Sequence, residues 1–520
     1  MHIHPIEFAI RTIDNLRSHN ENVELASEGP IEEGMVLFVT QSDLLADAVC
    51  GQPNVDDCLV RLRKKGIFTG AAGEVEALPT LGLLPYPYVI VAGLGHAATS
   101  DTLRTATGFA ARKANALQLE RLAIMLPSAC DPGLAGQALA EGLLLGTYRA
   151  TTYQQHPTER HDIRSVVFIA EAAAHEPLQQ ALRIAEAYAE GTNYARDLTN
   201  LPGNVLTPMM LATEAQKLAE HHGFPIEVLD VSALTALGMG GLLGVGQGSA
   251  NPPYLITLTY QGDQESTDII GLVGKGITFD TGGISIKPAA SMEEMISDMG
   301  GAASVLGTMH IIGRLRPRCN VIAVIATAEN MPSSTALKPG DLITTLSGKT
   351  IEITNTDAEG RVVLADAVTY AKQRGANRLI DIATLTGAVS VALGDFVTGA
   401  VTNDDLFLQS LLHAATLTGE KIWQLPSFPE YHKALRSDVA DLKNSTKTRS
   451  AGAITGALFI GVFAEQTPWI HLDIAGTAFL SSAIGIEPKR ATGVMVRTLA
   501  TWVCQQDTHL TYLNTNKNNL

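Results

Sequence analysis

Three charged residues occupy alternate positions in the run NTDAEGR, between Asn355 and Arg361. Asp357, Glu359 and Arg361 are separated only by alanine and glycine. Alternate residues of an extended chain point to the same side, so an extended conformation would bring these side chains together. Two acids gathered in this way can bind cations, and the arginine can bind an anion. Both are needed in metal-assisted sites.

A second dense segment, GKGITFDTGGISIKP, carries Lys275, Asp280 and Lys287. Lys275 lies inside an apolar strand pattern, and Asp280 lies where that pattern ends beside two glycines. Asp298 follows on a helical pattern, three residues after Met295 and on the same face. Sites in open α/β sheets are built at the carboxyl ends of strands. We therefore expect these acids and those of NTDAEGR at one such edge.

Carboxylates held this close would repel one another, and part of the set would stay protonated without added positive charge. Two divalent cations would neutralise the four acids, which are Asp280, Asp298, Asp357 and Glu359. Neither segment contains histidine, so the oxygen donors suit Mg²⁺ or Mn²⁺ and tolerate Zn²⁺. Lys275 could be an ion-pair partner, or a neutral amine whose pKa is lowered by burial beside cations.

Two bound metals would give the site a hydrolytic function. Such a pair lowers the pKa of water from about 15.7 to roughly 7 and polarises the carbonyl under attack. Lys287 and Arg361 would then stabilise the oxyanion or position a proton carrier. Either residue alone could equally form a structural salt bridge.

The composition limits the class of protein. The chain has 520 residues, of which 46% are hydrophobic and 17% charged, so we expect a globular protein with two domains. Its net charge of −16 argues against broad, non-specific nucleic-acid binding. No apolar run approaches the roughly 18 residues of a membrane span, and the first residues lack a secretory-signal pattern. The five scattered cysteines predict reduced thiols in a cytoplasmic protein.

Short apolar runs alternate with helical patterns along the chain, which predicts an α/β fold. In the first part, a helix is predicted over 133–149 and strands at 35–40, 88–95, 121–127 and 165–171. In the second part, helices are predicted at 291–314, 361–373 and 404–418, and strands at 254–260, 269–279, 321–329, 378–385 and 469–476.

We expect two α/β domains joined by a long helix, with a central mixed β-sheet flanked by helices in the C-terminal, catalytic domain. The connecting pattern covers 177–200 and ends where Pro202 and Gly203 interrupt it. The predicted limits are 1–175 for the N-terminal domain, 176–204 for the connecting helix and linker, 205–505 for the catalytic domain and 506–520 for a polar tail.

The two charged segments resemble those of the leucyl aminopeptidases, the cytosol aminopeptidase family of dinuclear metallopeptidases. The family signature is NTDAEGRL, and here Val362 replaces its final leucine. The spacing of Lys275, Asp280, Asp298 and Asp357 along the chain also matches. The resemblance covers roughly residues 190–500, whereas the residues before about 170 resemble the family's variable N-terminal domain only in their α/β layout.

This resemblance implies five metal ligands, with Mn²⁺ or Zn²⁺ as the two ions. Asp280 and Glu359 would bridge both metals. Asp357 would complete the more exchangeable site and add its backbone carbonyl. Lys275, as a neutral amine, and Asp298 would complete the tighter site.

The resemblance also implies roles for residues around the metals. Lys287 would polarise the scissile carbonyl and the tetrahedral oxyanion. Arg361 would hold a bicarbonate ion that carries a proton from water at the metals to the leaving amine. The substrate pocket would be formed by Met295, Thr384, Leu385 and Gly387.

The implied activity is the release of N-terminal residues from short peptides, with a preference for leucine and other large apolar residues. The family assembles as hexamers whose active sites face an interior cavity, so the resemblance implies a homohexamer. A dinuclear phosphoesterase stays open as an alternative, because the same metals and Arg361 could clamp a phosphate. A DNA-binding role also stays open, because some bacterial members of the family bind DNA.

Other features of the sequence have plainer interpretations. The glycine-rich runs, including GMGGLLGVGQG, do not complete a nucleotide-binding motif. His471 is expected to be an ordinary strand residue whose hydrogen bonds are satisfied. The compact basic cluster fits a solvated helix end or a subunit contact, and consists of Arg314, Arg316 and Arg318.

Overall fold

The chain divides into two compact units. The computed structural model describes residues 6–12, 32–46, 53–150, 153–155, 162–446, 448 and 450–507. The units are Met1–Ala189 with Ala483–Pro488, and Glu190–Ser482 with Lys489–Leu520. Their boundary lies inside the long helix that was expected to connect two domains, and the domain limits at 175, 204 and 505 stay a prediction.

The first unit contains a six-stranded mixed sheet. Its strands are β1 (Glu7–Thr12), β2 (Gly34–Val39), β3 (Val75–Pro79), β4 (Tyr88–Gly93), β5 (Arg121–Met125) and β6 (Ser165–Ala170). The order across the sheet is β1-β6-β5-β2-β4-β3, and β3 alone pairs antiparallel. The internal strands β4 and β6 are apolar and mostly buried, as strands covered on both faces must be.

Helices cover both faces of this sheet. They are α1 (Gln41–Leu45), α2 (Pro53–Lys64), α3 (Ser100–Ala116), α4 (Pro132–Gly146) and, after a 3₁₀ turn at Ala172–Ala174, α5 (His175–Asn200). One core joins α3 and α4 to the face that presents Ile90. A second core joins α1 and α2 to the opposite face, which presents Val89. This unit is an α/β sandwich, as the alternating patterns predict.

The second unit contains the larger sheet. The strands from here onward are β7 (Ile226–Leu229), β8 (Tyr254–Gln261), β9 (Ile269–Asp280), β10 (Asn320–Asn330), β11 (Leu342–Thr344), β12 (Thr350–Glu352), β13 (Arg378–Ala383), β14 (Val397–Thr402), β15 (Lys421–Gln424), β16 (Leu442–Lys443), β17 (Trp469–Asp473), β18 (Phe479–Leu480) and β19 (Arg490–Ala491). Eight of them form one mixed sheet in the order β15-β14-β17-β13-β9-β10-β8-β7. Two small sheets, β11-β12-β16 and β18-β19, complete the strands described.

The four central strands of the large sheet run parallel, so their carboxyl ends meet at one edge. In the register of β9 and β10, Asp280 lies beside Asn330. In the register of β13 and β17, Ala383 lies beside Asp473. This edge is where an open α/β sheet is expected to carry its site.

Helices flank the large sheet on both faces. They are α6 (Pro208–His222), α7 (Val231–Leu237), α8 (Gly240–Gly246), α9 (Gly300–Leu315), α10 (Gly360–Gln373), α11 (Gly387–Leu393), α12 (Asp405–Thr418), α13 (Pro429–His432), α14 (Gly452–Ala464) and α15 (Val496–Cys504). α10 and α14 pack against the face that presents Val273 and Ile277. α9 lies against Gly274 and Ile382 of the other face. The predicted central mixed sheet flanked by helices is confirmed.

One predicted helix differs in kind. Instead of a single α-helix over 291–314, a 3₁₀-helix at Met292–Met299 leads into α9. The three-residue spacing from Met295 to Asp298 fits either helix, because a 3₁₀ turn also returns to the same face after three residues. The two residues therefore still share a face.

Several predictions concern the ends and the thiols of the chain. The predicted polar tail lies outside the described residues from 508 onward. Cys50 is also outside the described residues. The other four cysteines are free thiols: Cys58, Cys130, Cys319 and Cys504. Across the described ranges, every helix is too short or too polar to span a bilayer.

Candidate metal centre and active site

Strand β9 carries two charged residues of the site. Lys275 lies within the strand and is only 2% exposed. Its Nζ donates to Asp298 Oδ1 at 2.8 Å and to the Thr384 carbonyl at 3.0 Å, and lies 2.9 Å from Glu359 Oε1. A Cβ at Gly360 would lie 2.6 Å from Lys275 Cε, so a larger residue there would displace the end of the lysine side chain.

Asp280 ends β9 and pairs with the lysine that follows the next turn. Lys287 Nζ lies 2.7 Å from Asp280 Oδ2 and 2.5 Å from Asp357 Oδ1. The second contact is an ion pair without hydrogen-bond alignment. Gly282, at φ +84°, makes the turn, and a Cβ there would lie 2.7 Å from Asp357 Oδ1. The turn thus brings Lys287 back to the end of its own strand.

The run NTDAEGR is not extended, and in this respect the sequence analysis was wrong. The chain turns at Thr356 and Asp357, and α10 begins at Gly360 directly after a helical Glu359 (φ −74°, ψ −36°). The two acids still converge: oxygens of Asp280, Asp357 and Glu359 lie within 4.8 Å of one another. They meet because a turn, and not an extended strand, carries them.

Arg361 forms no ion pair with the described acids, although Glu359 and Asp357 are near enough to raise its pKa. Its Nη1 donates to the Asn444 carbonyl at 2.9 Å. Its Nε is buried and makes no hydrogen bond. Arg361 is the second residue of α10, so it does not follow Asp357 and Glu359 in an alternating, extended arrangement.

Asp298 completes the group of acids. Its Oδ1 accepts from Lys275 and also from Thr384 Oγ1 at 2.8 Å. Its Oδ2 is buried without a hydrogen-bond partner. The half-buried Met295 lies one 3₁₀ turn earlier. The 3₁₀-helix thus presents an acid with one oxygen bound by the protein and one free.

The remaining predicted pocket residues follow β13. Thr384 belongs to the charged group through its carbonyl and its hydroxyl. Leu385 donates its backbone N–H to Asp473 Oδ1 at 3.1 Å, and its side chain packs into the core beside Gly456. Gly387 is exposed at the start of α11. The Leu385 side chain is therefore half-buried against the core, and its backbone N–H is already bound by Asp473.

The site is short of positive charge. Four acids face two amines, a balance of 2 − 4 = −2. Burial, reinforced by the charge of Glu359, raises the pKa of Asp280 to about 6. Burial also raises the pKa of Asp298 to about 8, and Lys275 offsets this only in part. Burial alone would lower the pKa of Lys275, but the carboxylates around it raise that pKa.

Burial and nearby charges compete in setting the pKa values of Glu359 and Arg361, and a different one of the two prevails in each. Burial opposes ionisation of Glu359, but the charges of Lys275 and Lys287 outweigh it and lower its pKa. Burial lowers the pKa of the Arg361 guanidinium, although nearby acids counteract it. Arginine remains charged in proteins. Arg361 is therefore a buried cation whose Nε–H is available to an anion.

These residues fit divalent cations. The donors are carboxylate oxygens and one amine, their charge is in excess, and Asp298 Oδ2 has no protein partner. Hard divalent ions prefer oxygen ligands of this kind, and they supply the missing charge. The five candidate ligands are Lys275, Asp280, Asp298, Asp357 and Glu359.

The sequence analysis missed four residues that hold the site together. Asn330, at the end of β10, donates to Asp280 Oδ1 at 2.8 Å. Thr356 and Ser285 bond each other's backbones and so join the two charged segments. The Asn444 side chain accepts from the backbone of the NTDAEGR run. The sole signal in the sequence was a polar residue ending an apolar strand, at Asn330.

The features behind the alternative interpretations have partners within the protein. The start of α8, in the glycine-rich run, is bound by the carboxylate of Asp366, which accepts from Leu242 N–H at 2.9 Å. His471 Nδ1 pairs with Asp381 at 2.6 Å, whereas its Nε2 is buried without a partner, so the ring is only half satisfied. Each arginine of the basic cluster contacts the protein itself: Arg314 pairs with Glu190, Arg316 bonds the His222 carbonyl, and Arg318 pairs with Asp263 and Glu265.

A mixed α/β sheet with buried acids and amines at its carboxyl edge defines the class of metal-dependent hydrolases. The profile of the cytosol aminopeptidase family, catalytic domain, matches residues 193–500, and that of the family's N-terminal domain matches 36–157. The chain belongs to the cytosol aminopeptidase family, and its activity is that of a metal-dependent aminopeptidase.

Curated relatives agree over most of the chain. A "Probable cytosol aminopeptidase" of Alkaliphilus oremlandii (strain OhILAs) is 46% identical over 454 residues, which cover 86% of this chain and 90% of the relative. A protein of the same name from Bacillus subtilis (strain 168) is 53% identical over 371 residues, covering 71% and 74%.

Solved structures share the fold. A mutant of tomato leucine aminopeptidase has a TM-score of 0.85 at 31% identity, covering 97% of this chain and 97% of that chain. The bottromycin maturation enzyme BotP in complex with Mn has a TM-score of 0.81 at 34% identity, covering 92% and 100%.

Proposed function

We propose that this protein is a dinuclear metallo-aminopeptidase that releases leucine and other large apolar residues from the N-termini of short peptides. One observation carries the proposal: three buried acids and the half-buried Asp357, at a sheet edge, face only two amines. A structural cluster would be expected to balance its charges, because uncompensated buried charge is costly.

Two Mn²⁺ or Zn²⁺ ions would be held by the five candidate ligands. Asp280 and Glu359 lie between the other members and are suited to serve both ions. Asp357 would complete one position, and Lys275 with Asp298 the other. When bound, the ions would acidify water and polarise the peptide carbonyl. Lys275 would then act as a neutral amine, because the added positive charge opposes its protonation.

Two cationic residues would act on the substrate. Lys287 is the more accessible amine, with its side chain 22% exposed, and would orient the scissile carbonyl and stabilise its oxyanion. Arg361 would hold a small anion such as bicarbonate through its unpaired Nε–H, and that anion would carry a proton to the leaving amine.

Substrate selection would depend on the acids and on the residues next to them. We attribute the requirement for a free N-terminus to recognition of the α-amino group in this acidic site. The preference for apolar side chains would come from Met295, and Thr384 and Gly387 would form the rest of the pocket. Leu385, which is half-buried against the core, would contribute the accessible part of its side chain. We further propose that the protein assembles as a homohexamer, which the family resemblance supports and light scattering would test. We also propose that it is cytoplasmic.

The proposal is tested with three chromogenic substrates. After chelation and addition of Mn²⁺ or Zn²⁺, we expect hydrolysis of leucine p-nitroanilide. We expect none of its N-acetylated form, which lacks the free amine, and none of an aryl phosphate. Hydrolysis of the phosphate but not of the anilide would favour a phosphoesterase and contradict the proposal. Salt-dependent duplex DNA binding that survives Asp357→Asn would instead favour a nucleic-acid role.

A further inference from the structure

Strand β10 carries a buried asparagine at each end. Asn330 ends the strand at the metal centre and is 5% exposed, whereas Asn320 begins it at the opposite edge and is 6% exposed. Asn330 Nδ2 donates to Asp280 Oδ1 at 2.8 Å and to the Thr356 carbonyl at 3.0 Å. Its backbone carbonyl accepts from the Thr281 N–H at 3.0 Å and hydroxyl at 2.8 Å. One residue thus contacts both charged segments.

The orientation of the Asn330 amide follows from its neighbours. Both groups near its Nδ2 are acceptors, a carboxylate oxygen and a carbonyl oxygen. A flipped amide would place an acceptor against two acceptors and lose both hydrogen bonds. Asn330 therefore acts as a double donor at this position.

These donors determine which oxygen Asp280 can offer. Asp280 Oδ1 accepts from Asn330 and from the Gly282 N–H, each at 2.8 Å. Oδ1 is thus bound on the protein side, and Oδ2 faces Lys287 at 2.7 Å. A carboxylate held by two donors at one oxygen cannot rotate freely about its Cβ–Cγ bond. Oδ2 is accordingly the oxygen that Asp280 would offer to the metal centre.

We infer that Asn330 is a positioning residue for the metal centre. It fixes the rotation of Asp280 and, through the Thr356 carbonyl, the distance from Asp280 to the turn that carries Asp357. The inference rests on the proposed function, since it assigns the outer partner of a proposed metal ligand. Outer partners of metal ligands typically contribute 10- to 100-fold in metal affinity.

The test compares Asn330→Ala with Asn320→Ala. Asn320 is the matched control: its Nδ2 also donates to acceptors of the protein, the carbonyls of Asp263 at 2.8 Å, Ser266 at 3.0 Å and Asp268 at 3.4 Å, but it lies at the other end of the strand. Both variants should lose similar thermal stability. Titration calorimetry with Mn²⁺ should show a 10- to 100-fold weaker affinity in Asn330→Ala and an affinity within about twofold of wild type in Asn320→Ala.

A second measurement separates positioning from catalysis. The Mn²⁺ concentration that half-activates leucine p-nitroanilide hydrolysis should rise in Asn330→Ala by the same factor as the dissociation constant. Most of the activity should return at saturating Mn²⁺. If Asn330→Ala does not fold, Asn330→Ser and Asn320→Ser replace the pair, because the shorter hydroxyl cannot bridge the same two acceptors.

The outcomes are distinct. Unchanged Mn²⁺ affinity in the Asn330 variant, or equal weakening in both variants, overturns the inference and leaves the proposed function in place. A wild-type protein that binds neither Mn²⁺ nor Zn²⁺ overturns the proposed function and the inference together.

Discussion

The buried carboxylate of Asp366 and the acids of the metal centre, all in the second unit, differ in what surrounds them. Asp366 is completely buried, and the protein supplies a donor to each of its oxygens: Leu346 N–H at 2.8 Å and Leu242 N–H at 2.9 Å. Asp366 belongs to α10, and its carboxylate lies against the first turn of α8. The N–H groups of a first helical turn lack intrahelical partners and favour negative charge. Burial raises the pKa of Asp366 to about 6, and these N–H groups restrain the rise, so it is ionised at pH 7.

Three acids of the metal centre, Asp280, Asp298 and Glu359, are also buried, but the protein gives them fewer hydrogen-bond donors and countercharges. Asp298 leaves Oδ2 without a partner, and four acids share two amines. Burial alone therefore does not distinguish an acid with a structural role from one with a chemical role. The number of donors and countercharges that the protein itself provides is what distinguishes them.

Glu359→Gln is expected to have the largest effect. The amide keeps the shape but removes a charge that both ions would share, so leucine p-nitroanilide hydrolysis should fall by at least about 10³-fold. Bound metal, measured by mass spectrometry after dialysis against Mn²⁺, should fall below two ions per chain. Full occupancy in this variant would contradict the role of Glu359 in holding both ions.

Arg361→Ala should lower turnover by about 10²-fold, because a positioned cation near the developing charge is lost. Its metal content should stay near that of wild type, since Arg361 contacts the Asn444 carbonyl and not the acids. Steady-state kinetics and metal analysis on one preparation test this. Loss of metal would show that Arg361 supports the cluster structurally.

The pH dependence of Mn²⁺ binding gives a smaller effect. Asp298, with a pKa raised to about 8, holds its proton at pH 7, and the metal must displace it. The apparent affinity should therefore rise between pH 6 and 8, by up to about tenfold per pH unit for each proton released. Calorimetry in buffers of different ionisation enthalpy measures that release. Binding without it would mean that Asp298 is already ionised at pH 7 and that Lys275 keeps its proton when the metal binds.

Asp366→Asn should have the smallest effect on catalysis and is the matched control for Glu359→Gln, because each replaces a buried acid by its amide. Turned either way, the amide NH₂ would face a backbone N–H, so we expect a stability loss of about 1–3 kcal/mol in urea unfolding. Metal content and activity per folded molecule should not change. A lowered metal content would remove the distinction between the two sets of acids.

The sequence predicted the parts of the fold that follow from continuous apolar runs. The central strands β9, β10, β13 and β17 were found because strands covered on both faces are apolar throughout. Short or edge strands such as β1, β7 and β15 were missed, because they carry few buried residues and no long pattern. The helix before α9 was assigned the wrong type, since a spacing of three fits a 3₁₀ turn as well as an α turn.

The candidate site was predictable as a set of residues and not as a geometry. From the spacing of acids and amines along the chain, the sequence analysis selected the four acids and two lysines that are in contact in the structure. The conformation of NTDAEGR was mistaken, because alternation of charge is no evidence of an extended chain when a turn and a helix start follow. Asn330 and Asn444 went unnoticed because a single asparagine has no spacing that distinguishes it, and its partners are known only once distant segments meet.

The central claim is that two divalent cations are bound among Lys275, Asp280, Asp298, Asp357 and Glu359. Crystals grown with Mn²⁺ and measured for anomalous scattering test it most directly. We predict two manganese peaks inside this group of side chains. An anomalous map without peaks there, or with manganese only elsewhere on the protein, would contradict the claim.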